Sequence, residues 1–556
     1  MERPWYGNWP EGVPKTIEYP KIGVAGMLTR AAKQWPDSVA TRFYGARLTY
    51  RTLDEAASRF AGGLRRIGVE PGDRVSLLMP NCPQFVIALF GVLRAGAIVV
   101  QTNPLYTPRE LEEQYRDAGV ETVVCVDLFF KNVAKVQGAA GLKRVVVTDI
   151  KEYLPSVLAA LYPIKKKKDY GKIVIPVEPW IHPFQELLAS EPFTRDPPDP
   201  NDVAVLQYTG GTTGTPKGAM LTHRNLVVNA HQAIAWFSGL KPSQERFLCA
   251  IPFFHVYGLT IALLGPITIG ATMVIHPNPR EIEPVMKLIT KTKPALFPGV
   301  PTMYIAIVNH PKVSSYDLKS IRACISGAAP LPPEVRKKFE ALTGGKLVEG
   351  YGLTEASPVT HCNPIHGRYK EGIGIPMPDT DAKIVDVDTG TRDLGVGESG
   401  ELAIRGPQVM RGYWNRPEET AQVITRDGWL LTGDVAVMDE DGYFRIVDRK
   451  KDLIIASGYN VYPREVEDVL FGHPAVKQAA VSGVADPYRG ESVKAFIVLK
   501  DGATATDQEI VTFCKERLAP FKVPKQIEFA KELPMTLVGK VLRRALREKE
   551  ATRPTS

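Results

Sequence analysis

Cysteine is scarce in this chain of 556 residues. Six are present, Cys82, Cys125, Cys249, Cys324, Cys362 and Cys514, scattered and without a C-x-x-C pair. That pattern excludes a disulfide framework and a cysteine zinc site, and a reducing cytosol is the expected compartment. The opening residues, MERPWYGNWPEGVPK, hold no apolar h-region, so no signal peptide is expected. One uncharged run, 256–275, is long enough to span a bilayer. Gly258, Gly265, Pro266 and Gly270 interrupt it and 271–275 reads as a strand, so a buried helix–turn–strand is expected instead. No short-period repeat is evident. Neither sign of charge dominates, with 69 basic and 61 acidic residues. The small basic balance suits anionic small ligands such as nucleotides, or an anionic membrane surface; no nucleic-acid partner is expected. Apolar residues at 44 % and charged ones at 23 % describe a globular protein with little disorder away from its ends. The length exceeds one core of usual size, so two or more domains are expected.

Over the first two-thirds, strand-like and helix-like runs alternate. Strands are expected at 74–79, 98–101, 122–127, 203–208, 247–251, 271–275, 295–298, 322–326 and 346–349. Helices are expected at 83–95, 107–118, 223–236, 279–291, 301–309 and 332–342. The alternation predicts α/β architecture with largely parallel sheets and ligands at the C-terminal ends of strands. After about residue 379 the texture becomes β-rich, with short strands at 382–387, 401–405, 435–439 and 443–448. Asp441-Gly442 is the turn signal of a hairpin between the last two. A charged knot, Asp448-Arg449-Lys450-Lys451-Asp452, follows. The expected division is a large domain, 1–448, with a β-rich subdomain at about 379–448, and a small α/β domain, 449–556, with helices near 463–470 and 507–518.

Four segments carry chemistry. The first, YTGGTTGTPKG, runs from Tyr208 to Gly218 after a strand. Its glycines let successive N–H groups turn toward one anion. Thr209, Thr212, Thr213 and Thr215 add hydroxyls, and Lys217 adds a charge, which together suit a polyphosphate. Pro216 stands where a Walker A loop needs glycine, so that motif is excluded. The second, Gly350-Tyr351-Gly352-Leu353-Thr354-Glu355, offers an aromatic face, a hydroxyl and a carboxylate. A carboxylate beside phosphates makes sense mainly with Mg²⁺ between them. The third, DGWLLTGD, ends at Asp434 and continues to Arg449; its carboxylate could take both hydroxyls of a ribose. The fourth, LPMTLVGK, ends at Lys540 before a basic run.

In this order and spacing the four segments resemble the acyl-adenylate-forming superfamily, which includes acyl-CoA synthetases, aryl-CoA ligases, peptide-synthetase adenylation domains and beetle luciferases. The resemblance covers about 43–544. The stretch DGWLLTGDVAVMDEDGYFRIVDRKK, 427–451, also looks like the signature of the fatty acyl-CoA synthetase branch. The resemblance implies an ATP-dependent ligase that makes an acyl-AMP and then a thioester with coenzyme A, acting on a medium- to long-chain fatty acid with Mg²⁺.

It also implies roles. Thr209, Gly210, Gly211, Thr212, Thr213, Gly214 and Lys217 would hold the ATP phosphates, with Thr209 and Glu355 near the metal. The family often has Ser where Gly210 stands, which removes one hydroxyl and keeps the backbone donors. Gly327, Ala328, Ala329 and Tyr351, with Gly352, would enclose adenine. Thr354 would touch the α-phosphate, while Asp434 and Arg449 would take the ribose. Lys540 would bridge the acid and the α-phosphate. His255, Tyr257 and Gly327 would shape the acyl site, Gly458 would line the CoA tunnel, and Lys451 would be the hinge.

Other acids in the same class, aryl or short-chain, compete with this reading. So does transfer to a carrier protein, although the extra insertion of such ligases is not seen at 355–374. A catalytically dead nucleotide-binding scaffold is the alternative from another class, and intact Lys540, Glu355 and Asp434 argue against it. The pair His361 and His366 around Cys362 invites a metal reading that a loop without helical periodicity does not support. The sequence sets no oligomeric state, and a homodimer stays open. Finally, 153–168 joins an apolar stretch to Lys165, Lys166, Lys167 and Lys168, and 151–172 carries six lysines against Glu152 and Asp169. Apolar insertion beside a basic cluster predicts peripheral docking at the anionic inner face of the cell membrane.

Overall fold

In the computed structural model the described residues are 3–193, 198–209, 216–456, 459–486, 490–535, 541–543 and 545–546. The Gly210–Thr215 part of the phosphate loop, Gly458 and Lys540 fall outside them.

The largest sheet has eight strands in the order Gly412–Tyr413, Lys217–Thr222, Val203–Thr209, Ile98–Gln101, Arg74–Leu78, Val120–Val126, Arg144–Thr148 and Ile181–Pro183. From Val203–Thr209 to Ile181–Pro183 all neighbours are parallel. Strands such as Val120–Val126 are apolar almost throughout, as burial on both faces requires. The helix Pro83–Arg94 behind them is buried at every residue. A second sheet joins Arg246–Cys249, Thr272–Ile275, Val39–Phe43 and Ala46–Thr49 to Ala323–Ser326, Lys346–Gly352, Val359–Cys362 and Ile375–Pro376. Leu296 links its halves by bridging Phe247 and Ala323, so 295–298 makes isolated bridges where a strand was expected.

Asp381–Val385, Gly400–Arg405, Leu430–Met438 and Phe444–Arg449 form a four-stranded antiparallel sheet. The expected turn closes its last hairpin. Gly442 has φ of 78°, and Asp439 Oδ1 accepts from the N–H groups of Asp441 and Tyr443 at 3.0 and 2.9 Å. Beyond the knot, Val476–Asp486 and Gly490–Leu499 make a long hairpin flanked by Ile454–Ala456, Tyr459–Val461 and Gln526–Phe529. That sheet and the helices Pro463–Phe471 and Asp507–Lys515 enclose an apolar core of their own.

The uncharged run resolves as Gly258–Leu264, Gly265–Thr268 and Thr272–Ile275, all deep in the core. Among the described residues no helix is long and apolar enough to cross a membrane.

Candidate active site

Two strands flank the phosphate-loop segment. Val203–Thr209 pairs antiparallel with Lys217–Thr222, so Thr209 faces Lys217 at its mouth. Gly218 sits under the Tyr208 ring, where an added Cβ would approach to 3.1 Å. The Tyr208 hydroxyl donates to Asp117 at 2.6 Å, and Arg416 pairs with the other oxygen of Asp117 at 3.0 Å. Lys217 is ion-paired with Glu419, and its ammonium lies 5.3 Å from the Tyr413 ring centre. The Tyr413 hydroxyl in turn donates to Glu355 Oε1 at 2.8 Å. The first and second segments therefore meet through Tyr413, which the short strand Gly412–Tyr413 seats on the same strand pair. The peptide of Glu355 is held too, its carbonyl accepting from Met410 N–H at 2.7 Å. Burial, and then Glu355 itself, push the Tyr413 phenol well above its ordinary range. It stays a donor at any working pH.

The second segment also meets the third. Lys346–Gly352 pairs with Val359–Cys362, setting Tyr351 opposite His361. The Tyr351 hydroxyl donates to Asp434 Oδ2 at 2.6 Å, and Arg449 Nε reaches Asp434 Oδ1 at 3.1 Å across one strand pair. Asp434 holds the Arg449 guanidinium above its usual range. Burial, with Asp434 beside it, does the same for the Tyr351 phenol. Tyr351, Gly352 and Thr354 line a cavity of about 80 Å³ together with His255, Tyr257, Gly327 and Ala328. The adenine and acyl residues expected from the sequence are thus brought together, while Ala329 lies just beyond the lining. Ala328 is in the left-handed region at φ 72°, which turns the backbone sharply after Ala323–Ser326. The ring of Tyr257 is pinned by its hydroxyl donating to Ile325 O at 2.7 Å, and an added Cβ on Gly327 would come within 3.1 Å of that ring. His255 Nδ1 accepts from Tyr257 N–H at 3.3 Å, so this histidine is part of the turn at the cavity wall.

His361 is wholly buried between the Tyr351 and Phe444 rings, with centroids 6.0 and 4.8 Å away. Burial lowers its pKa to about 3, so it is a neutral packing residue. No group of His, Cys, Asp and Glu among the described residues could by itself hold a metal ion. Tyr413, Arg416, Glu419 and Asp117 were missed by the sequence reading. The run GYWNRPEET, 412–420, signals a turn and a helix start through Asn415 and Pro417, and nothing in its spacing points to the strand pair it braces.

Just upstream, Glu349 is buried, and among the described residues no cation lies at ion-pair distance from it. Its Oε2 accepts from Leu331 N–H at 3.3 Å. Burial raises its pKa to about 7, against the partial relief given by Arg464. A carboxyl raised in the fold favours the folded state below its ordinary pKa, and this contribution is lost as pH rises through 7. Glu349→Gln should therefore unfold like the parent below pH 4. By pH 8.5 it should be more stable by about 3 kcal/mol, at ~1.4 kcal/mol per pH unit of displacement. Urea unfolding at both pH values checks this, and equal stability differences at the two would contradict it.

The AMP-binding enzyme family model matches residues 28–414, and the AMP-binding enzyme C-terminal domain model matches 465–540. A long-chain-fatty-acid–CoA ligase of Bacillus subtilis (strain 168) is 50 % identical over 99 % of this chain and 98 % of its own length. A feruloyl-CoA synthase of Amycolatopsis sp is 37 % identical over 95 % and 99 %. Among solved structures, ATP-bound MatB from Rhodopseudomonas palustris superposes with a TM-score of 0.83 at 29 % identity, over 95 % of this chain and 99 % of that one. With its large α/β N-terminal part and small C-terminal domain, the chain belongs to the AMP-binding, acyl-adenylate-forming enzyme family.

Proposed function

We propose that this protein joins a medium- to long-chain fatty acid to coenzyme A through an acyl-AMP intermediate, consuming ATP and releasing AMP and pyrophosphate. The observation that carries the reading is the pair of junctions at one cavity. Tyr351 is bonded to the Asp434–Arg449 pair, and Lys217, Tyr413 and Glu355 are linked beside it. The full-length likeness to a long-chain-fatty-acid–CoA ligase supports the acid's class. A second reading, an aryl acid, is favoured by the likeness to a feruloyl-CoA synthase. Acid-dependent pyrophosphate exchange, followed by CoA-dependent AMP release across acids of eight to twenty carbons and an aryl acid, decides between them. No exchange with any acid would sink both.

In this proposal the loop from Thr209 to Lys217 grips the phosphates, with Lys217 exchanging Glu419 for phosphate oxygens. Asp434 and Arg449 take the ribose, Tyr351 and Gly327–Ala329 the adenine, and Thr354 the α-phosphate. His255 and Tyr257 bound the acyl end, and Gly458 the pantetheine. Mg²⁺ belongs to the reading as well. Glu355 and Thr209 offer a carboxylate and a hydroxyl, a hard oxygen set that suits Mg²⁺ only when phosphates and waters complete it. The metal would offset charge on the phosphates while Glu355, steadied by Tyr413, keeps its position. Six free, buried cysteines support work in the reducing cytoplasm, with the protein resting on the inner face of the cell membrane. A homodimer remains part of the proposal.

The domain boundary is proposed at the knot, with Lys451 as the hinge. Lys450 pairs with buried Glu401 of the β-rich sheet at 2.9 Å. Asp452 pairs with Arg543, beyond the knot, at 3.1 Å. Lys451 stands between these two anchors. A swivel there would break the Arg464 N–H bond to Asp448, now 2.8 Å, and could present different groups to the two half-reactions. Proline fixes φ and removes a donor. Lys451→Pro should leave acyl-AMP formation within a few-fold of the parent and suppress CoA transfer. Normal overall turnover would put the swivel elsewhere.

A further inference from the structure

The helix Ser156–Tyr170 is turned inside out. None of its fifteen residues is buried. Its inward positions are Ala159, Tyr162 and Lys166, the least exposed of the helix along with no other residue, at the i, i+3, i+7 spacing of one face. At the innermost of these stands a lysine. Lys166 is 11 % exposed and ion-paired with both Asp127 and Asp149, the latter at 2.7 Å. Of the four consecutive lysines, Lys166 is therefore a peg into the body. Two carboxylates on one ammonium fix the rotation of the helix about its axis.

With that rotation fixed, the apolar side chains are the ones that point away. Val157, Leu161 and Ile164 share the opposite face at i, i+4, i+7, and they are 72 %, 56 % and 71 % exposed. Helices of globular proteins normally show the reverse order, and a run of large exposed apolar residues marks a binding surface. The apolar surface continues. Val174 and Val177 are exposed after the helix, and exposed Tyr44 sits in the turn whose Gly45 lies against Pro155. Basic residues lie beside this apolar surface. Lys165, Lys167, Lys168 and Lys172 are all exposed, and Asp169 is the one acidic residue of the helix.

We propose that the Ser156–Tyr170 helix docks the protein on an anionic phospholipid surface. Val157, Leu161 and Ile164 enter the acyl boundary, while Lys165, Lys167, Lys168 and Lys172 rest at the headgroup level. Charge complementarity selects this occupant. The face offers four cations and almost no carboxylate, so a second copy of the same face would bring no counter-charge, whereas an anionic leaflet brings it in excess. A helix with apolar residues on one side and lysines at its flank lies in the plane of an interface. The Lys166 peg presents that side without any rearrangement of the fold.

The test is co-sedimentation of the full chain with vesicles of phosphatidylcholine containing 30 % phosphatidylglycerol, and with phosphatidylcholine alone. It needs no turnover, so its result is independent of the substrate proposed above. The parent is expected to bind the anionic vesicles in low salt and to release in 1 M salt, where the screening length falls to about 3 Å. Replacing Lys165, Lys167 and Lys168 together by Gln should weaken binding about 100-fold, at about fivefold per lysine. The pair Leu161→Glu and Ile164→Glu should weaken it at least 10-fold. Both variants should keep the parent's circular dichroism and its pyrophosphate exchange with a short soluble acid. Absence of parent binding, or binding indifferent to both variants, overturns the proposal. So does a parent dimer in sedimentation velocity that the Glu pair dissolves, since a second copy would then cover the face.

Discussion

Asp434→Ala is expected to lower kcat/KM for ATP by about 10²- to 10³-fold, most of it in KM. In the proposed complex this carboxylate accepts from both ribose hydroxyls, and a hydrogen bond to a charged group contributes about 1.5–3 kcal/mol. The free protein depends on the same oxygens. Oδ2 takes the Tyr351 hydroxyl at 2.6 Å and Oδ1 the Arg449 guanidinium at 3.1 Å. Alanine therefore also leaves a half-buried phenol without its acceptor, and unfolding should come earlier by about 1–2 kcal/mol. Asp434→Asn keeps an acceptor for Tyr351, so it should recover most of the stability and only part of the ATP affinity. If Asp434→Ala lost stability while its KM for ATP matched the parent's, Asp434 would be an anchor for Tyr351 and nothing more.

The Tyr351–Asp434 bond also shows what could be read in advance. Both residues stand in segments whose composition announces them, a glycine-flanked aromatic after a strand and an aspartate after a Thr-Gly turn. Their meeting across 83 positions was implied by the resemblance and not by either segment. The alternating strands and helices were legible because parallel strands buried on both faces must be apolar, as Val120–Val126 is. Tyr413 was not legible. It belongs to a strand of two residues, and its importance comes from lying beside Lys217 and Glu355 in space. The inverted helix is the sharpest case. Lys166 looks like its neighbours in sequence, and only Asp127 and Asp149, 39 and 17 positions away, draw it inward. The periodicity of this helix is weak, and long-range ion pairs decide which side it turns to the protein.

The largest effect on chemistry is expected at Lys540, which lies outside the described residues and whose role rests on its place in LPMTLVGK. Adenylation brings a carboxylate against an anionic phosphate, two groups that repel. A positive charge between them lowers the in-line transition state more than the separated reactants, because negative charge gathers there. Lys540→Ala should slow acyl-AMP formation by about 10²-fold or more, the scale of one electrostatic stabiliser. Thioester formation from acyl-AMP supplied ready-made should be far less affected. In that step an anhydride is already formed, AMP leaves, and the thiol attacks a carbonyl rather than phosphorus. Lys540→Arg keeps the charge while changing its shape from a compact ammonium to a planar fork, so it should fall between parent and alanine in the first half-reaction only. Pyrophosphate exchange measures the first step, and single-turnover transfer from purified acyl-AMP measures the second. Equal loss in both would mean that Lys540 supports the site as a whole and does not act at the phosphoryl step.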